Sequence, residues 1–95
     1  MVKLIWSPRA IKDLEGICEY IGKDSEYYAK FFAQKIVAII EKIPEFPEIG
    51  RIVPEYDQDN LRERIFRNYR LVYRLKPGVI EIVAIFHGAK LLPEI

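Results

Sequence analysis

The chain has 95 residues, about half of them apolar, with fifteen Lys and Arg against fourteen Asp and Glu. That size fits one domain with a single core, and the apolar content excludes wholesale disorder. No apolar run nears the roughly 20 residues of a membrane helix, and a net charge of +1 does not announce a nucleic-acid binder.

The chain opens on a short β-prone run, Val2 to Trp6. Ser7 and Pro8 follow as helix N-cap and first helical position. Ala10, Leu14, Ile17, Cys18 and Ile21 recur at helical spacing, and Gly22 is the expected stop. Cys18 sits on that stripe, so it reads as a core residue, and alone it forms no internal disulfide. The start lacks the long apolar segment of a secretory signal, which points to a cytoplasmic protein.

Asp24 or Ser25 caps a second helix, whose stripe is Ala29, Phe32, Ala33, Ile36, Val37, Ile40 and Ile43. The prolines from Pro44 to Pro47 end it, and the two helices read as an antiparallel hairpin. Tyr27 and Phe31, four apart, would extend an exposed stripe. Gly50, Pro54 and the polar run from Asp57 to Asn60 mark a loop.

Three strands follow: Leu61 to Phe66, Tyr69 to Leu75, and Val79 to His87, turned at Arg67-Asn68 and at Pro77-Gly78. In the middle one, Tyr69, Leu71, Tyr73 and Leu75 take the core face; Arg70, Val72, Arg74 and Lys76 take the other, which reads as basic. The last strand is almost wholly apolar, as in a strand covered on both faces. No element is assigned to the tail, Gly88 to Ile95. The order β-α-α-β-β-β gives an α+β fold in which a helical hairpin packs on a small antiparallel sheet joined by the amino-terminal strand.

Charge is unevenly placed. Residues 1–50 hold seven Lys and Arg against eight acids, whereas residues 60–76 hold five Arg and Lys76 against Glu63 alone. Guanidinium groups bind carboxylate and phosphate bidentately, so this segment is built to meet an anion. Arg62 and Arg64 share a parity on their strand and are expected to form an anion-binding patch with Arg70.

Several ordered features carry a family resemblance: the Trp after the first strand, Ala10 with Asp13-Leu14, Tyr20-Ile21, Gly50-Arg51 with Val53 to Glu55, and "NYRLVYRL" before an apolar strand ending in His87. Together they resemble the RelE/ParE superfamily of toxins from bacterial and archaeal toxin–antitoxin modules, over nearly the whole chain. The resemblance implies a growth inhibitor neutralised by a cognate antitoxin in a hetero-oligomeric complex, with no cofactor, no metal and no membrane partner.

Two activities are implied: ParE-like inhibition of DNA gyrase, and RelE-like cleavage of mRNA on the ribosome. For the second, Arg70 stands at the family's strand arginine, with Arg62, Arg64 and His87 as the rest of a catalytic set. Metal-free RNA cleavage needs cations for the phosphorane and a base and an acid for the two oxygens. The tail departs from that pattern, with Ala89 where an arginine is common and Lys90 displaced by one residue. The ParE-like activity, in which the protein is not itself an enzyme, is therefore preferred over the ribonuclease.

Arg51, Arg62, Arg64, Arg67, Arg70, Arg74 and Lys90 would then bind the antitoxin's acidic segment or the target. Taken singly, Arg67 and Arg74 read as solvated strand residues and His87 as a hydrogen-bonded strand end. A third reading is an inactive family member that serves only as a protein-binding module. Because Arg70 has the non-core parity, Arg70→Ala is expected to weaken toxicity while leaving the fold intact.

Overall fold

The computed structural model describes residues 2–90; the rest of the tail, residues 91–95, lies outside the described residues. The chain runs β1 (Lys3–Trp6), α1 (Pro8–Gly22), α2 (Glu26–Lys42), a 3-10 turn (Ile43–Glu45), β2 (Arg51–Ile52), β3 (Leu61–Phe66), β4 (Tyr69–Lys76) and β5 (Val79–His87). The sheet order is β1-β5-β4-β3-β2. All pairs are antiparallel except β1 with β5, which is parallel, so the sheet is mixed rather than purely antiparallel. The short β2 is an added edge strand, and two residues beside Gly50 carry too little pattern to be read from sequence.

Both helices start where their caps dictate. The Ser7 hydroxyl accepts the Ala10 N–H at 3.0 Å, and Ser25, rather than Asp24, accepts the Tyr28 N–H at 3.1 Å. The helices cover one face of the sheet. Phe32, Ile36, Ile40 and Ile43 meet Leu71 and Tyr73 of β4 and Ile80, Ile82 and Ile85 of β5, with Trp6 and Cys18 packed at the margin.

The opposite face has its own small core of Val53, Leu61, Val72, Ala84 and Phe86 beside Tyr56. This corrects the expectation of an open basic face. Apolar side chains projecting from β3, β4 and β5 need cover, and the segment from Val53 to Tyr56 lies across them.

The two cores interlock through a β-bulge. Val72 stands opposite Ala84 and Tyr73 opposite Ile82, leaving Val83 as an extra residue in β5. Facing positions share a side of the sheet, so the bulge switches parity. Ile80 and Ile82 point to the helices, Ala84 and Phe86 point away, and Ile85 and His87 return to the helical side. Helix α1 satisfies the backbone groups that the bulge leaves unpaired: the Ser7 hydroxyl donates to the Val83 carbonyl at 3.1 Å, and Asp13 accepts the Ile85 N–H at 2.9 Å.

Candidate functional site

Two places in this fold gather charged groups, and the sheet separates them. The first is on the face away from the helices. Glu63 of β3 is buried, with one carboxylate oxygen accepting from Arg70 Nε at 2.6 Å and the other from Arg51 Nε at 2.7 Å. Arg70 directs its two terminal nitrogens to Glu55, at 2.7 and 2.8 Å, in a bidentate pair. Its guanidinium also lies 5.3 Å from the Phe86 ring centroid.

Arg70 is thus only 8 % exposed, and it ties the 53–56 segment to the sheet. Hydrogen bonding to Arg70 holds the Glu55 carboxyl at about 2, below the usual carboxylate range. The same bonds from Glu55 and Glu63 keep Arg70 charged despite burial, with its pKa raised.

This geometry corrects the single arginine patch. Arg62 stands opposite Tyr73, and Arg64 opposite Leu71, on the helical side of the sheet, whereas Arg70 projects with Val72 on the other. The physical reason is the register of the two-residue turn, in which an even-numbered position on β3 lies opposite an odd-numbered one on β4. Glu63, of the opposite parity to Arg62 and Arg64 on β3, is for the same reason the residue that meets Arg70. The expectation that Arg70→Ala would leave the fold intact is corrected as well, since the truncation would strip a buried carboxylate of one of its two partners.

The other predicted cations have varied settings. Arg62 donates to three backbone carbonyls, those of Asp59 (2.9 Å), Glu48 (3.3 Å) and Gly50 (3.0 Å), and so fastens the segments on both sides of β2 to β3. Beside it, the Gly50 N–H donates to the Tyr73 hydroxyl at 2.9 Å, and that hydroxyl donates to the Pro47 carbonyl at 2.8 Å. Only glycine fits there, because a Cβ would stand 2.6 Å from the tyrosine oxygen.

Arg67 occupies the β3–β4 turn at φ 54°, with its guanidinium over the rings of Tyr28 (5.9 Å) and Phe66 (5.5 Å). Arg51 remains 58 % exposed while pairing with Glu63. For Arg64 and Arg74 no comparable tie is seen among the described residues, and both are partly exposed.

The second place is a cleft of about 650 Å³ between α1 and the ends of β4 and β5. The bulge delivers His87 to it, and the turn that follows folds Lys90 back onto the same rim through an N–H bond to the His87 carbonyl at 3.0 Å. From α1 come Arg9, Lys12 and Tyr20. Sequence reasoning missed these three; the available signal was the i, i+3 spacing of Arg9 and Lys12 and the placing of Tyr20 eight residues beyond Lys12, near two further turns along α1. Asp13 also lines the cleft, but its Oδ2 is engaged by Ile85 and lies 3.9 Å from Arg9 Nε.

His87 packs edge-on against Tyr69, with ring centroids 5.3 Å apart, and its Nδ1 accepts the Ala89 N–H at 3.1 Å. In the neutral ring the proton is therefore on Nε2. Burial raises the Tyr69 phenol pKa, so it too stays protonated. Among the described residues no group of three His, Cys, Asp or Glu side chains is placed to hold a metal ion, and no helix is long and apolar enough to cross a membrane.

Comparison with known proteins agrees with the resemblance read from the sequence. Residues 4–92 match the family described as ParE toxin of type II toxin–antitoxin system, parDE. A curated relative, Toxin RelE2 of Caulobacter vibrioides (strain ATCC 19089 / CIP 103742 / CB 15), is 33% identical over 92 residues, 96% of this chain and 100% of the relative.

Two solved structures share the fold. A chain of the chromosomal ParDE toxin–antitoxin system from P. aeruginosa aligns with a TM-score of 0.76 at 22% identity, covering 92% of this chain and 96% of the other. The YoeB dimer of Staphylococcus aureus aligns with a TM-score of 0.58 at 20% identity, covering 87% and 92%. The chain belongs to the ParE toxin family of type II toxin–antitoxin systems, within the RelE/ParE superfamily, whose toxins are paired with cognate antitoxins.

Proposed function

We propose that this toxin arrests growth by binding DNA gyrase, as a ParE-like inhibitor, rather than by cutting RNA. The observation that supports this reading is the condition of Arg70. A ribonuclease would need that guanidinium to meet the developing charge on a scissile phosphate. Here both of its faces are taken by Glu55 and Glu63, and a phosphate would have to displace a bidentate carboxylate from a largely buried site. The arginines of β3 and β4 then serve the fold and partner binding. Arg64, Arg74 and the exposed flank of Arg51 remain to pair with an antitoxin's acidic segment.

The test places the purified toxin in two assays, gyrase supercoiling of plasmid DNA and translation-dependent cleavage of an mRNA. Loss of supercoiling, relieved by the antitoxin, is the expected result; mRNA cut only on ribosomes, with supercoiling intact, overturns it.

One observation favours the ribonuclease reading: the His87 imidazole stands in a cleft with Arg9, Lys12 and Lys90. His87→Ala separates the two. Growth arrest in cells at equal expression should persist for a gyrase inhibitor and disappear for a ribonuclease that uses the imidazole. Expression without antitoxin that leaves growth unaffected would favour the inactive protein-binding module.

A further inference from the structure

The cleft between α1 and the end of β5 has no part in the gyrase argument, and its composition is specific. We propose that it is a nucleoside phosphate site, in which Lys12, Lys90 and the His87 imidazole hold the phosphate and Tyr20 carries the base.

Four observations converge on that ligand. The first is charge: the lining holds Arg9, Lys12 and Lys90 against Asp13 alone, an excess of two positive charges before His87 is counted. Asp13 is moreover committed to the Ile85 N–H of the bulge. The second is the imidazole. With Nδ1 accepting from Ala89 and the ring plane set by Tyr69, the Nε2–H is the donor left for an oxyanion.

The third is an aromatic rim. Tyr20 is 71 % exposed at the edge of the cleft, where its ring offers the flat apolar surface on which a base stacks. The fourth is the opening itself. Gly16 lies within α1, where glycine is a poor helix former, and a Cβ there would meet nothing within 4 Å. Neither packing nor a positive φ requires the glycine; what its missing side chain does is keep the cleft open.

The volume, about 650 Å³, suits a small organic ligand rather than a lone inorganic anion. An acidic peptide would use the cations but not the exposed ring or the opening beside it. The ligand is a nucleoside phosphate, free or as one unit of a strand, since both present the same phosphate and base. The proposal holds whether the toxin's target is gyrase or the ribosome, because it concerns binding alone.

The experiment is fluorescence anisotropy of the purified full chain with short labelled single strands of DNA and RNA, using AMP and a poly-glutamate peptide as competitors. Lys12→Gln/Lys90→Gln should weaken strand binding by about tenfold or more and flatten its dependence on salt, because two phosphate contacts are lost. Gly16→Leu, which fills the cleft without touching a charge, should weaken it comparably while circular dichroism stays as in the wild type. Tyr20→Ala should weaken it without changing the salt slope.

Displacement by AMP identifies a free nucleotide as sufficient; displacement only by unlabelled strand assigns the site to a phosphodiester chain. Wild-type affinity in both the lysine and the Gly16 variants overturns the proposal. Displacement by poly-glutamate as effective as by unlabelled strand overturns it too, by making the cleft a general acidic-chain surface.

Discussion

Glu63 is the residue on which the far face of the sheet depends. Its side chain is 0 % exposed and holds Arg51 and Arg70 at once, so its removal leaves Arg70 buried with Glu55 as sole carboxylate partner. Glu63→Ala should lower stability by about 3 kcal/mol in urea unfolding, the scale for breaking a buried ion pair from one side. A loss below 1 kcal/mol would mean that water or a shifted Glu55 replaces it.

Glu55 belongs to the same cluster but leaves 43 % of its side chain in solvent, so its share is smaller, roughly 1 kcal/mol after screening. Its folded carboxyl titrates at about 2, below the ordinary value of 4.5, so its contribution is complete above pH 4.5 and fades as pH falls toward 2. Urea titrations across that window should show a shallower pH slope for Glu55→Gln than for the wild type; identical slopes would remove Glu55 from the account. The sequence made the cluster's members visible as charges. It hid their pairing, because parity is visible along each strand whereas pairing is set across the turn that joins them.

Among the elements, the helices were the most legible, β2 escaped notice, and β5 was legible in its bounds but not in its phase. Ser7-Pro8, Ser25 and the stripe from Ala29 to Ile43 are local signals, and each helix begins where its cap hydroxyl can accept an N–H. The bulge in β5 left no such mark. From Ile82 to Phe86 every residue is apolar, so a change of phase produces no break in pattern, and only the partner strand reveals Val83 as extra. That one residue decides whether His87 faces the helices, and hence whether the cleft contains an imidazole.

Helix α1 supplies the rest of the cleft wall, and its Gly16 gives a direct measurement at this scale. Gly16→Ala should raise stability by about 1 kcal/mol, since the methyl meets open space and alanine is the better helix former. Thermal unfolding of the purified variant checks this, and an unchanged or lower Tm would point to a contact that the open geometry does not contain.

At the scale of the molecule, the α+β order and the two-layer packing were readable from periodicity, whereas the second core was not. Val53 and Tyr56 lie in a loop whose sequence shows turn residues and charge but no apolar period, so nothing local says that it covers a sheet face.

The parallel pairing of β1 with β5 joins Lys3 to Val79 and Trp6 to Ile82, which brings the first strand beside the last across nearly the whole chain. Contacts so distant in sequence must wait for loop closure. A chain ending at Gly78 should therefore stay unfolded by circular dichroism, with β1 left without its partner strand and the helical hairpin without Ile80, Ile82 and Ile85 of its core; cooperative unfolding of that fragment would contradict this.

The same pairing sets a clock on the ribosome. While the polypeptide is being made, β1, α1 and α2 emerge first but have no β5 to join, so the sheet cannot close on the helices until β5 clears the exit tunnel. A partner synthesised before or alongside it would meet the toxin at the moment it becomes one.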